Sequence, residues 1–177
     1  MTATDLTANK IPVASLPQTE LLTVNVNEIP VLKDSLGPGI DFQPLFLDPE
    51  IGVWSVLGTF APGAELPIHL HTGPVHGYTL QGEWIYKEYP DQPQTAGSYL
   101  YEPASSVHTF AVPETATEPT VVLFIVYGAN VNFTDDGQFH SVLDALAVRN
   151  LTEQCAKTQG LGPIKYLTGG TAKFTDA

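Results

Sequence analysis

The sequence predicts an all-β fold, a sandwich or barrel of short antiparallel strands followed by one helix. Three observations carry this expectation. Apolar residues fall in short runs or alternate with polar ones, turn-forming residues separate the runs, and a single segment repeats its apolar residues at helical spacing.

In chain order, residues 1–20 are rich in Thr and Pro and read as a flexible N-terminal arm. Leu22-Thr23-Val24-Asn25-Val26-Asn27 alternates apolar and polar side chains, the pattern of a half-buried strand. Further strands are expected at 42–47, 52–60, 68–71, 76–80, 83–89, 97–102, 107–112 and 121–127. Turn chemistry separates them: Asp48-Pro49, Ala61-Pro62-Gly63, Gln81-Gly82, Pro90-Asp91 and the segment 115–119. The 15 prolines and 15 glycines therefore punctuate strands and do not mark low complexity. Residues 141–158 place Val142, Leu143, Leu146, Ala147 and Leu151 one, three and four apart, which predicts an amphipathic helix against the sheet or a partner subunit. Residues 21–177 form one domain on this reading, with a jelly roll among the solutions that fit it.

Composition narrows function. The 177 residues carry 7 Lys+Arg against 19 Asp+Glu, a formal charge of −12, which repels nucleic acid and anionic membranes alike. Cys155 is the single cysteine, so neither an intrachain disulfide nor a thiolate metal cluster can form. Residues 1–18 hold one basic residue, Lys10, and no apolar run, and the most apolar stretch, 121–127, is too short to span a bilayer. A cytoplasmic protein is the expectation.

Three of the five histidines lie within eight residues, His69, His71 and His76. On a strand, His69 and His71 project from one face and can chelate an ion, whereas His76 has the parity of the opposite face unless a bulge intervenes. A third ligand has to come from elsewhere, and His108 heads the 107–112 strand. His140 has no companion pattern and reads as a surface or packing residue.

These residues sit in two spaced motifs. Gly63-(five residues)-His69-Leu70-His71-(three residues)-Val75-(six residues)-Gly82 resembles the first cupin motif, and Gly97-(five residues)-Pro103-(four residues)-His108 resembles the second. The resemblance implies a double-stranded β-helix, a jelly-roll barrel, with its motif core at 63–112. Three departures accompany it: Val75 replaces the usual ligating Glu, Ser105 a Gly, and Val112 an Asn. The implied ligand set is therefore the trio His69, His71 and His108. Imidazole suits Fe, Cu, Ni or Zn, and three on one face leave up to three coordination positions open.

Within the cupins, the segments 71–88 and 97–109 resemble the 2,4'-dihydroxyacetophenone dioxygenases and, more distantly, the acetylacetone dioxygenases. That likeness implies Fe(II), with Zn, Ni or Cu possible as purified. It further implies O₂-dependent cleavage of a C–C bond beside the carbonyl of an aryl ketone or diketone. A metal-containing sensor and a metal-dependent diketone hydrolase are the alternatives. Val75, Trp84, Tyr86 and Tyr99 are the candidate pocket residues. Trp84, Tyr86 and Glu88 alternate along one face. If that face is interior, Glu88 is a looser ligand, a proton acceptor or a water anchor; if exterior, Ile85 lines the inside and Glu88 is solvated. Tyr99 and Tyr101 share a face and are expected to fill the barrel, and Glu102 is expected at the turn or behind the ligands. Exposed sheet edges predict a homodimer or homotetramer, joined through residues 21–27 and the helix.

Overall fold

The computed structural model describes residues 21–170 and 172, so the expected arm at 1–20 lies outside the described residues. Thirteen strands follow in order: β1 (Ile40–Asp48), β2 (Val53–Phe60), β3 (His69–His71), β4 (Val75–Gln81), β5 (Glu83–Tyr86), β6 (Gln94–Thr95), β7 (Tyr99–Glu102), β8 (Val107–His108), β9 (Phe110–Ala111), β10 (Thr120–Tyr127), β11 (Asn130–Phe133), β12 (Phe139–Leu143) and β13 (Leu167–Thr168). The helix α1 (Ala145–Thr158) lies between the last two strands. A six-stranded sheet has the order β13-β1-β2-β10-β4-β7, a four-stranded one β12-β11-β3-β8, and a three-stranded one β6-β5-β9. This is the expected all-β jelly roll with one C-terminal helix.

Alternation in sequence becomes alternation in burial. Along β2, Trp54, Val56, Gly58 and Phe60 are buried and the residues between them are half-buried. The inward side chains meet the three-stranded sheet around Phe60, Trp84, Phe110 and Val122. A second cluster, around Phe42, Trp54 and Val126, receives Val148 and Cys155 of α1. Trp84 is fully buried, stacks on Phe110 at 4.5 Å between ring centroids, and donates its indole N–H to Thr79 Oγ1 at 3.0 Å. Burying Phe110 alone contributes roughly 2–3 kcal/mol. A single neutral hydrogen bond nets about 1 kcal/mol, so packing rather than the Thr79 contact joins the two sheets. Gly82, at φ +73°, turns the chain from β4 into β5; a Cβ there would lie 2.9 Å from the Thr120 backbone.

Element boundaries depart from the expectation in several places. Residues 22–27 form no strand: Asn25 caps a 3-10 turn at Val26–Glu28 by accepting from Asn27 N, and Gln43 Nε2 donates to the Val26 and Ile29 carbonyls. Local side-chain hydrogen bonding outcompetes an alternation that has no partner strand. The helix starts at Ala145 rather than 141, because Asp144 caps it through Ala147 N at 2.7 Å and residues 139–143 instead pair with β11. The 107–112 strand splits at Thr109 into β8 and β9, which belong to different sheets. Strands β6, β11, β12 and β13 were not expected from the sequence; β11 matters most, because it flanks the histidine strand.

Candidate metal centre

The centre begins with the parity of β3. His69 and His71 are buried on one face and Leu70 is half-buried on the other. β8 pairs with β3 so that His108 lies directly opposite His69. The ring centroids stand 4.9 Å (His69–His71), 4.8 Å (His69–His108) and 5.2 Å (His71–His108) apart, and one ligand nitrogen from each imidazole lies within 4.8 Å of the others. The turn into β8 is tied to β3 by Ser105 N, which donates to the His71 carbonyl at 2.8 Å. Ser105 adopts φ +67°, the left-handed conformation that the glycine of the second motif would reach without strain.

The His69 imidazole is set up as a neutral donor. His69 Nδ1 lies 2.7 Å from the Pro67 carbonyl, which can only accept, so Nδ1 carries the proton and Nε2 keeps its lone pair. Burial drives the His69 pKa down to about 4; the Pro67 bond opposes this, and the neighbouring His71 and His108 reinforce it. Among the described residues, His108 Nε2 is buried without a directed hydrogen-bond partner. Three nitrogen donors converging around an orphaned buried atom fit a divalent cation.

Glu102 is the carboxylate the structure brings to the trio. It is 3% exposed, and its Oε2 stands 2.9 Å from His71 Nε2 and 3.2 Å from His108 Nε2 without a directed hydrogen bond. Its Oε1 accepts the Tyr86 hydroxyl. Burial pushes the Glu102 carboxyl up, but the His108 and His71 imidazoles outweigh it and hold the group well below the ordinary carboxylate range. Burial and the Glu102 charge push the Tyr86 phenol upward, so Tyr86 is the donor of that pair. Its ring stacks on His108 at 4.1 Å.

The remaining candidates divide. Tyr86 lines the cavity beside the trio, so the Trp84–Tyr86 face is interior. Trp84 and Val75 share the inward direction but are sealed in the core and do not line the cavity. Tyr99 is 64% exposed on the outer face, as is Tyr101 at 56%, so neither fills the barrel. Glu88 is solvated, as in the exterior alternative, although Trp84 and Tyr86 face inward: β5 ends at Tyr86, the alternation stops, and the exposed Glu88 carboxylate accepts from Thr109 N and Oγ1 at 2.9 Å each. His76 faces outward, with Nδ1 2.6 Å from the Tyr99 hydroxyl. His140 is exposed at the cavity rim and lies 2.8 Å from Ser141 Oγ.

The cavity beyond the trio measures about 360 Å³ and is walled by Phe42, Trp54, Phe60, Phe110 and Phe124. Asn130 and Asn132 of β11, cross-strand partners of His71 and His69, add polar lining. Asn130 Oδ1 is buried and unpartnered. Among the described residues, no helix is long and apolar enough to cross a membrane.

Residues 19–131 match the ChrR cupin-like domain family. The chain belongs to this cupin family. Among solved structures, this cupin is similar to a cupin-fold protein of unknown function from Ralstonia eutropha JMP134, with 41% identity, 92% of this chain and all of the other covered, and a TM-score of 0.84. An RmlC-like cupin from the same organism is 27% identical, over 84% of this chain and 95% of the other, with a TM-score of 0.76. An acetylacetone dioxygenase from Acinetobacter johnsonii shares the fold at 18% identity, over 81% of this cupin and 95% of its own chain, with a TM-score of 0.62. No curated protein matches the chain.

Proposed function

We propose that this cupin is a non-haem Fe(II) dioxygenase that cleaves the C–C bond beside the carbonyl of an aryl α-hydroxyketone of the 2,4'-dihydroxyacetophenone kind. The observation that carries the reading is a trio of buried histidines, two of which, His69 and His71, line an aromatic-walled cavity large enough for one aryl ring and its side chain. The fold shared with an acetylacetone dioxygenase and the motif likeness noted above support it. The reaction balances as ketol plus O₂ giving an aryl carboxylic acid plus formic acid: one C–C bond breaks and both oxygen atoms enter the products.

Bound at the trio, Fe(II) would supply Lewis acidity toward a carbonyl oxygen and a redox centre for O₂. The chain's own residues do the rest. The Pro67 contact fixes the His69 tautomer, so its Nε2 needs no proton shift before binding an ion. Phe42, Phe60, Phe110 and Phe124 exclude water and offer ring faces to an aryl group. Asn130 Oδ1, without a partner among the described residues, can accept a hydrogen bond from a substrate hydroxyl.

A second reading, a metal-loaded binding or sensor protein without turnover, draws on Glu102. A buried carboxylate crowding three histidines resembles a closed site, and structural metal sites are closed where catalytic ones stay open. Oxygen uptake by Fe(II)-loaded protein, measured against a panel of aryl ketols and diketones, separates the two. The dioxygenase reading expects stoichiometric O₂ consumption, with both atoms of ¹⁸O₂ in the acids. Tight ketol binding under air without consumption would overturn it in favour of the sensor.

A further inference from the structure

The first motif lacks its carboxylate at position 75, yet a carboxylate stands in the centre. Val75 of β4 and Glu102 of β7 are a register pair on adjacent antiparallel strands. Paired residues share a face with Cβ atoms about 5 Å apart, so a glutamate at either position reaches nearly the same point inside the barrel. Val75 is 1% exposed and packed among apolar side chains, and Glu102 fills the polar end of the same rung.

We propose that Glu102 is the fourth protein ligand of the centre: the carboxylate has crossed one strand, from β4 to β7. This rests on the reading that the trio binds a divalent metal. Three features of Glu102 point to an ion. Its two oxygens are separated in task, Oε1 held by the Tyr86 hydroxyl and Oε2 without a directed partner. Oε2 and His108 Nε2 are both orphaned, although only 3.2 Å apart, and His71 Nε2 is 2.9 Å from the same oxygen. Ligand atoms bound at about 2.1 Å to one cation stand about 3.0–3.4 Å apart when adjacent, in octahedral or tetrahedral geometry; the 3.2 Å spacing to His108 falls in that range and the 2.9 Å spacing to His71 just below it. Lone pairs at that distance repel one another unless a proton or a cation lies between them.

Tyr86 is then a positioning residue. Its hydroxyl fixes the carboxylate rotamer, and its ring braces His108, so one side chain orients two ligands. A 3-His-1-Glu set leaves two positions of an octahedron open and neutralises one of the metal's two charges.

The test is a Co(II) titration of metal-free full-length protein. Visible absorption reports the ligand set, chelator competition gives affinity, and circular dichroism confirms folding. Glu102→Val is expected to change the Co(II) spectrum and weaken binding by about a hundredfold or more, and Tyr86→Phe by about tenfold. The double variant Val75→Glu/Glu102→Val is expected to regain at least a tenfold share of the loss, with a spectrum near the original. Glu102→Val binding Co(II) with unchanged spectrum and affinity, while His108→Ala loses the ion, would overturn the ligand role and leave the metal reading intact. His108→Ala binding as tightly as the parent would instead overturn the metal reading itself. A folded double variant no better than Glu102→Val would overturn the strand-crossing equivalence.

Discussion

Inside the barrel, His69, His71 and His108 are buried against one another and against Glu102; on the outer face of the six-stranded sheet, His76 is ringed by Tyr99, Tyr101 and Tyr127. The same side chain meets opposite conditions in the two places. His76 finds a phenol hydroxyl at 2.6 Å and solvent beside it, and needs nothing more. The inner histidines face other acceptors: His69 Nδ1 the Pro67 carbonyl, and His71 Nε2 and His108 Nε2 the Glu102 carboxylate at 2.9 and 3.2 Å. Number and proximity of imidazoles do not make a site, since His76 lies only five residues beyond His71 in the sequence. Lone pairs that converge without protons do.

Alanine substitutions sharpen this contrast most strongly. His108→Ala should reduce metal content, by elemental analysis, from one ion per chain to none, while His76→Ala keeps it at one. Loss of the ion from His76→Ala would erase the distinction between the faces.

Acid is the next probe. Unfolded His69 takes a proton near its ordinary pKa of 6.5, whereas the folded residue resists until about 4. The unfolded chain therefore binds more protons between those values, and stability falls as pH falls through that window. Glu102, whose folded pKa is also depressed, acts in the same direction. Denaturant unfolding of the metal-free protein should show a loss of up to about 3 kcal/mol from His69 between pH 6.5 and 4. A flat profile would mean that His69 is not buried as described.

Smaller effects separate the two acidic residues and the two tyrosines. Glu88→Ala should cost about 1 kcal/mol, read from urea midpoints, through the two hydrogen bonds from Thr109, with metal content unchanged. Ser105→Gly should stabilise by about 1 kcal/mol by relieving the left-handed conformation. Tyr99→Phe should change neither metal content nor turnover and shift stability by less than about 0.5 kcal/mol.

The histidine trio was legible because period-two parity in a three-residue strand admits one arrangement, and because the two motifs fix their own spacing. Glu102 was harder to see for the same reason turned round. Along 99–102, either the tyrosine pair or Leu100 with Glu102 can face inward, and with the tyrosines inward the carboxylate is left to the turn or to a place behind the ligands. The register that decides it, Val75 opposite Glu102, is a long-range fact that no local pattern contains. Glu88 lies beyond the end of β5 at Tyr86, so the alternation that turns Trp84 and Tyr86 inward does not extend to it. The sheet order and β11 behind the histidines likewise follow from packing rather than from any local motif.

Anomalous diffraction at the iron edge, from crystals loaded anaerobically with Fe(II), tests the metal centre most directly. A single peak about 2.1 Å from nitrogens of His69, His71 and His108 is the predicted result. A peak beside His76 and its tyrosines, or none at the trio, would contradict the account.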